Sequence, residues 1–133
     1  MYVSTAKLSM TKEALKQYLQ FNNHPLLNDA NLELEKAIDL MENHYRVKYS
    51  IIWVESKSST KKRIIGEIDR IAFDAYTAIL KTGEMLNGYI DATDSNPPNL
   101  TVWLKIIEYL SKASWSMQKE NYPEIYRKQL TLF

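Results

Sequence analysis

The sequence predicts an all-α fold: a single-domain bundle of four to five helices over residues 1–133, with one short strand near 47–54. Three observations carry this. From Ile64 to Leu80, the residues Ile64, Ile65, Ile68, Ile71, Ala72, Ala75, Tyr76, Ile79 and Leu80 return at helical spacing. With Phe73 at its edge, the apolar arc is roughly 200° wide, well beyond the stripe of an ordinary surface helix, so this helix has neighbours on more than one side. Over residues 98–119, the polar positions Thr101, Lys105, Glu108, Lys112, Ser116 and Lys119 fill only about 80° of the helical wheel, which predicts a second, largely buried helix. Finally, 133 residues with 45% hydrophobic and 25% charged side chains describe one ordinary globular domain, long enough to build a core without disulfides.

The elements follow in order. A first helix starts at Ser9 or Thr11, whose hydroxyls suit an N-cap. It carries Ala14, Leu15, Tyr18, Leu19 and Phe21 on its apolar side and ends at Asn22-Asn23-His24-Pro25. A second helix, from Asp29 to Arg46, buries Ala30, Leu34, Ala37, Ile38, Met41 and Tyr45 and turns Glu33, Glu35, Asp39 and Glu42 outward. Continuing it to Glu55 would place Lys48 on the apolar face and Trp53 on the polar one. A two-residue period fits better, with Val47, Tyr49, Ile51 and Trp53 on one face, so residues 47–54 are assigned as a strand. Its partner would be Tyr2-Val3, Leu130-Thr131-Leu132 or another copy of the chain. After a basic connector, the third helix opens near Lys61, capped by Ser59 or Thr60, and stops at Gly83 or Gly88. Asp91 to Asn99 is a loop. Pro98 opens a long helix to Lys119, Tyr122-Pro123 breaks it, and Glu124 to Leu130 forms a short last helix.

Several function classes lose support at this level. The net charge is +1, so bulk charge points neither to nucleic acid nor to an acidic partner. With no cysteine there is no thiol nucleophile or thiolate metal site, and a reducing, cytoplasmic location is expected. The first residues do not read as a signal peptide, and no apolar run approaches a membrane span. The sequon Asn99-Leu100-Thr101 is then read as chance.

Candidate chemistry is sparse. His24 sits in a turn and is read as solvated, while His44 lies near a helix end, and neither has metal-ligand spacing. Asp91, Asp94 and Asn96 lack the glycine turn and distal carboxylate of a calcium loop and read as turn and cap. Gly66, Gly83 and Gly88 are too far apart for a phosphate-binding loop. No catalytic residue, cofactor or metal is assigned. An enzyme with a dispersed site stays open as the second alternative, to be recognised by a pocket bringing His24 or His44 together with carboxylates.

The leading expectation is a small non-enzymatic interaction or assembly module, self-associating or bound to a protein partner. Its helices carry more apolar arc than so small a bundle hides readily, and large aromatics favour interfaces. Trp103, Tyr109, Trp115 and Ile106 are the candidate interface residues. The first alternative is a nucleic-acid-binding adaptor using Lys57, Lys61, Lys62 and Arg63. Trp115 to Gln129, with its tryptophan-bearing helix, proline break and the stretch Asn121-Tyr122-Pro123-Glu124-Ile125-Tyr126-Arg127-Lys128-Gln129, resembles the ends of phage small terminase subunits. The resemblance covers under a quarter of the chain and has no diagnostic motif. The DNA-reading unit expected at the family's N-terminus is not recognisable. What it implies is a DNA-packaging component as one form of that alternative.

Overall fold

The computed structural model describes residues 2–50 and 58–131. Within them the chain forms four helices: α1 Val3–Leu19, α2 Pro25–Lys48, α3 Ser58–Ala92 and α4 Leu100–Leu130. Each packs on its neighbours in sequence, and α4 closes back on α1. The helices run up and down alternately. Tyr2, His44 and Glu124 meet at one end, and Tyr18, Tyr89 and Trp103 meet at the other.

The buried positions explain the ring. On α2 they are Leu27, Ala30, Leu34, Ala37, Met41 and His44, and on α4 Trp103, Ile106, Leu110, Ala113, Met117, Asn121 and Glu124. Steps of three and four alternate, giving a mean period of about 3.5, the spacing of antiparallel bundle packing. The α3 core runs from Ile68 through Ala72, Ala75, Ile79 and Leu86 to Tyr89. The wide arc read from the sequence therefore faces both α2 and α4.

Several boundaries differ from expectation for identifiable reasons. α1 begins at Val3, so Ser9 and Thr11 are interior; Thr11 is buried and its hydroxyl donates to Lys7 O at 2.8 Å. Leu8 is thereby core, whereas Phe21 lies beyond the helix and is exposed. α2 begins at Pro25, the position where a missing N–H loses nothing. His24 is its cap and is not simply solvated: Nδ1 accepts from the Leu26 N–H at 3.1 Å. The strand assignment is not supported where it can be checked. Val47 and Lys48 continue α2, Tyr49 and Ser50 form the turn after it, and residues 51–54 fall outside the described part. Of the suggested pairing partners, Val3 and Leu130 are helical.

Neither Gly83 nor Gly88 stops α3, and no glycine has a positive φ. The stop is a Schellman closure: Ser95 N–H donates to Ile90 O at 2.9 Å and Asp94 N–H to Asp91 O at 3.2 Å. Asp94 takes the left-handed conformation with φ 53°, which a short polar side chain tolerates better than most. Gly88 lies against α2, where an added Cβ would meet Leu26 Cδ1 at 3.2 Å. The break expected at Tyr122-Pro123 is present as a kink within α4, one residue earlier. Pro123 cannot fit beneath the carbonyl four residues back, and the backbone opens at Asn121, with φ −122° and ψ 17°.

Candidate interaction surface and the polar end of the bundle

The four residues expected at an interface separate in the structure. Trp103 and Ile106 are core, Tyr109 is half-buried, and Trp115 is 70% exposed. A helix apolar around most of its circumference thus has one side buried and one side bare. Leu100 and Leu104 are also exposed on α4. After Trp115 the exposed apolar residues continue as Tyr122, Tyr126 and Leu130. The rings of Tyr122 and Tyr126 stack at 5.5 Å, tilted by only 14°. Trp115 and Tyr122 wall one shallow depression with Gln118 and Lys119. On its other side Trp115 borders a groove shared with Ile79 and Leu80 of α3. Tyr122 and Tyr126 share a face with Trp115 because α4 continues through the kink at Asn121, so periodicity read only up to the proline does not extend to them.

Lys61, Lys62 and Arg63 are exposed on the opening turns of α3, and Lys57 lies outside the described residues. The α3 first turn holds no acidic residue, so these cations face the positive end of the helix dipole uncompensated by it. Among the described residues no acidic side chain of α2 pairs with them, and Glu35 pairs with Lys12 of α1 at 3.3 Å.

The polar end was not legible in the sequence. His44 is fully buried, at a core position where the α2 pattern suggested Tyr45. Its Nε2 lies 2.6 Å from Glu124 Oε2. A carboxylate only accepts, so the ring proton points to it. Nδ1 lies 2.9 Å from the Tyr2 hydroxyl. Lys48 Nζ donates to Glu124 Oε1 at 2.7 Å, and Asn121 Nδ2 donates to Oε2 at 3.0 Å. Burial alone would raise the Glu124 pKa. The hydrogen bonds from His44, Lys48 and Asn121 outweigh it and hold the carboxyl down at about 2. Burial first, then the Tyr49 hydroxyl and the carboxylates of Glu124 and Glu120, push the Tyr2 hydroxyl up, so it stays a neutral phenol. Beside this cluster a cavity of about 480 Å³ is lined by Lys48, Ile65, Ile68, Pro123, Glu124 and Arg127, among others. Arg127 is held there by a two-pronged bond to Asp69 at 2.8 and 2.9 Å.

Both nitrogens of His44 are engaged, and the ring does not line the cavity. His24 is far along the chain's fold from it, against Tyr89 at the opposite end. Among the described residues no group of three or more His, Asp or Glu side chains is placed to hold a metal. No described helix is long and apolar enough to cross a membrane. Comparison with family models, with curated proteins and with solved structures finds no match.

Proposed function

We propose that this chain is a small, non-enzymatic helical interaction module that self-associates through the outer face of α4. The observation that supports it is Trp115, 70% exposed, continued by the exposed rings of Tyr122 and Tyr126. Large rings left in water are the usual anchors of an interface, and burying them against a second copy removes apolar area from solvent. The engagement of His44 on both nitrogens supports a structural role for the polar cluster over a catalytic one.

Light scattering tests this directly. The wild-type particle should exceed the 15.6 kDa of one chain at micromolar concentration. Trp115→Lys combined with Tyr122→Lys should reduce it to a monomer of unchanged helicity. A compact wild-type monomer would end the proposal.

A second reading draws on the exposed Lys61, Lys62 and Arg63, which sit at the same end of the bundle as Arg127 and Lys128. Exposed aromatics beside cations also suit single-stranded nucleic acid. A salt-sensitive gel shift lost in Lys61→Ala, Lys62→Ala and Arg63→Ala together would favour this adaptor reading over self-association alone. Absence of any shift at low salt would remove it.

A further inference from the structure

A separate recess lies on the α1–α2 side of the polar end. It is lined by Tyr2, Thr5, Met41, Glu42 and Tyr45, with a volume of about 280 Å³. The rings of Tyr2 and Tyr45 stand at 82° to each other, with centroids 5.3 Å apart, and so form a corner. Met41 and Thr5, both buried, lie at the base, and the exposed Glu42 supplies a carboxylate at the rim. Among the described residues none that lines it is cationic.

We propose that this corner binds the quaternary or methylated ammonium group of a small organic cation. Ring faces carry negative quadrupole potential, and a weakly hydrated alkylammonium group loses little on leaving water to meet them. Glu42 adds a full negative charge without a lysine or arginine among the described lining residues to cancel it. The volume falls just below the roughly 300–1,000 Å³ of drug-sized sites, which suits a head group rather than an extended ligand.

The corner is also held in shape before any ligand arrives. Tyr2 is tied by its hydroxyl to His44, itself fixed on Glu124. Tyr45 is backed by Tyr49, with centroids 4.9 Å apart. Preorganised rings need no ordering on binding, which favours affinity. On this view the buried His44–Glu124 pair positions one wall of a binding site, a use of the polar cluster independent of self-association.

The test is an NMR titration of the intact chain with choline and with its uncharged carbon isostere, in which carbon replaces the quaternary nitrogen. Choline should shift the amides of Thr5, Glu42 and Tyr45, and its N-methyl protons should move upfield under the ring currents. The isostere should bind about two- to thirtyfold more weakly, the range expected for a cation–ring attraction. Tyr45→Leu, which keeps bulk and removes the ring, should abolish the upfield shift. Glu42→Gln should weaken binding, and Tyr2→Phe, which keeps the ring but cuts its tie to His44, should retain binding at reduced affinity. Equal binding of choline and isostere, no response to choline, or a response that survives Tyr45→Leu in a protein of unchanged circular dichroism would overturn the proposal. None of these outcomes depends on whether Trp115 mediates association.

Discussion

The two ends of the bundle close the same core in opposite ways. At one end Tyr18, Tyr89 and Trp103 pack with ring centroids 5.1–5.9 Å apart. The Tyr18 hydroxyl lies 2.9 Å from that of Tyr89 and donates to Pro98 O at 2.7 Å. Burial, reinforced by the Tyr89 contact, pushes the Tyr18 hydroxyl further from ionisation. At the other end the same core positions hold His44, Asn121 and Glu124, and Lys48 reaches in from the rim. One end derives its stability from area and ring contacts, the other from a carboxylate whose partners must all be in place. The Tyr18–Tyr89–Trp103 contacts involve no carboxylate, whereas the polar end depends on the charge of Glu124.

The largest effects should come from emptying either end. Trp103→Ala should lower stability by about 3–5 kcal/mol, read from the urea midpoint. Glu124→Ala leaves His44 and Lys48 without their acceptor and should cost about 3 kcal/mol or more. The contrast between the ends sharpens with a double replacement. His44→Leu with Glu124→Leu removes the His44–Glu124 pair, although Lys48 and Asn121 still lose their acceptor, and should come closer to wild type than Glu124→Ala alone. A double variant as unstable as the single one would mean that the cluster contributes net stability.

Acid should act on the Glu124 cluster and leave the Tyr18–Tyr89–Trp103 contacts unchanged. The folded pKa of Glu124 lies below its ordinary 4.5, so the carboxylate form favours folding. That stabilisation is present above about pH 4.5 and is lost as pH falls through about 2. Denaturation of wild type and Glu124→Gln at about pH 6 and about pH 3 should show the gap between them narrowing in acid. A constant gap would mean that this carboxylate is not held down by its partners. Tyr18→Phe, which removes the hydroxyl bonds but keeps the ring, should cost about 1 kcal/mol and show no acid dependence of its own. Smallest of all, Trp115→Lys should change the stability of a single chain, measured at a dilution where wild type is monomeric, by no more than about 0.5 kcal/mol, since on one chain its ring is largely in water.

The middle of the molecule was readable from the chain and its ends were not. Ala30, Leu34, Ala37 and Met41, or Ile68, Ala72, Ala75 and Ile79, announce their burial because apolar side chains recur at a period only a helix has. His44 and Glu124 sit on that same period but are polar, and a polar residue in the pattern reads as an exposed one. They lie 80 residues apart, so no local spacing could pair them. Helix ends suffered likewise. Ser9, Thr11 and the glycines carry real capping and stopping preferences, yet each preference amounts to about 1 kcal/mol. Packing Leu8 on one side of Ser9, and Leu86 and Tyr89 around Gly88, outweighs that. The stop moved to Asp94, where the core residues had run out.

The exposed side of α4 shows the same division. Hydrophobic content placed Trp103, Ile106 and Trp115 on one helix, all apolar and therefore equivalent to any reading of periodicity alone. Assembly with α1 and α3 separated them, burying Trp103 and Ile106 and leaving Trp115 and Tyr122 outside. Period and composition establish that there are helices and which arcs are apolar, because those follow from 3.6 residues per turn and from the water aversion of each side chain. Which part of an arc is covered, and which distant polar groups satisfy one another in the core, depends on the angular position of neighbouring helices. That is a property of the folded bundle, set by long-range packing that no single segment contains.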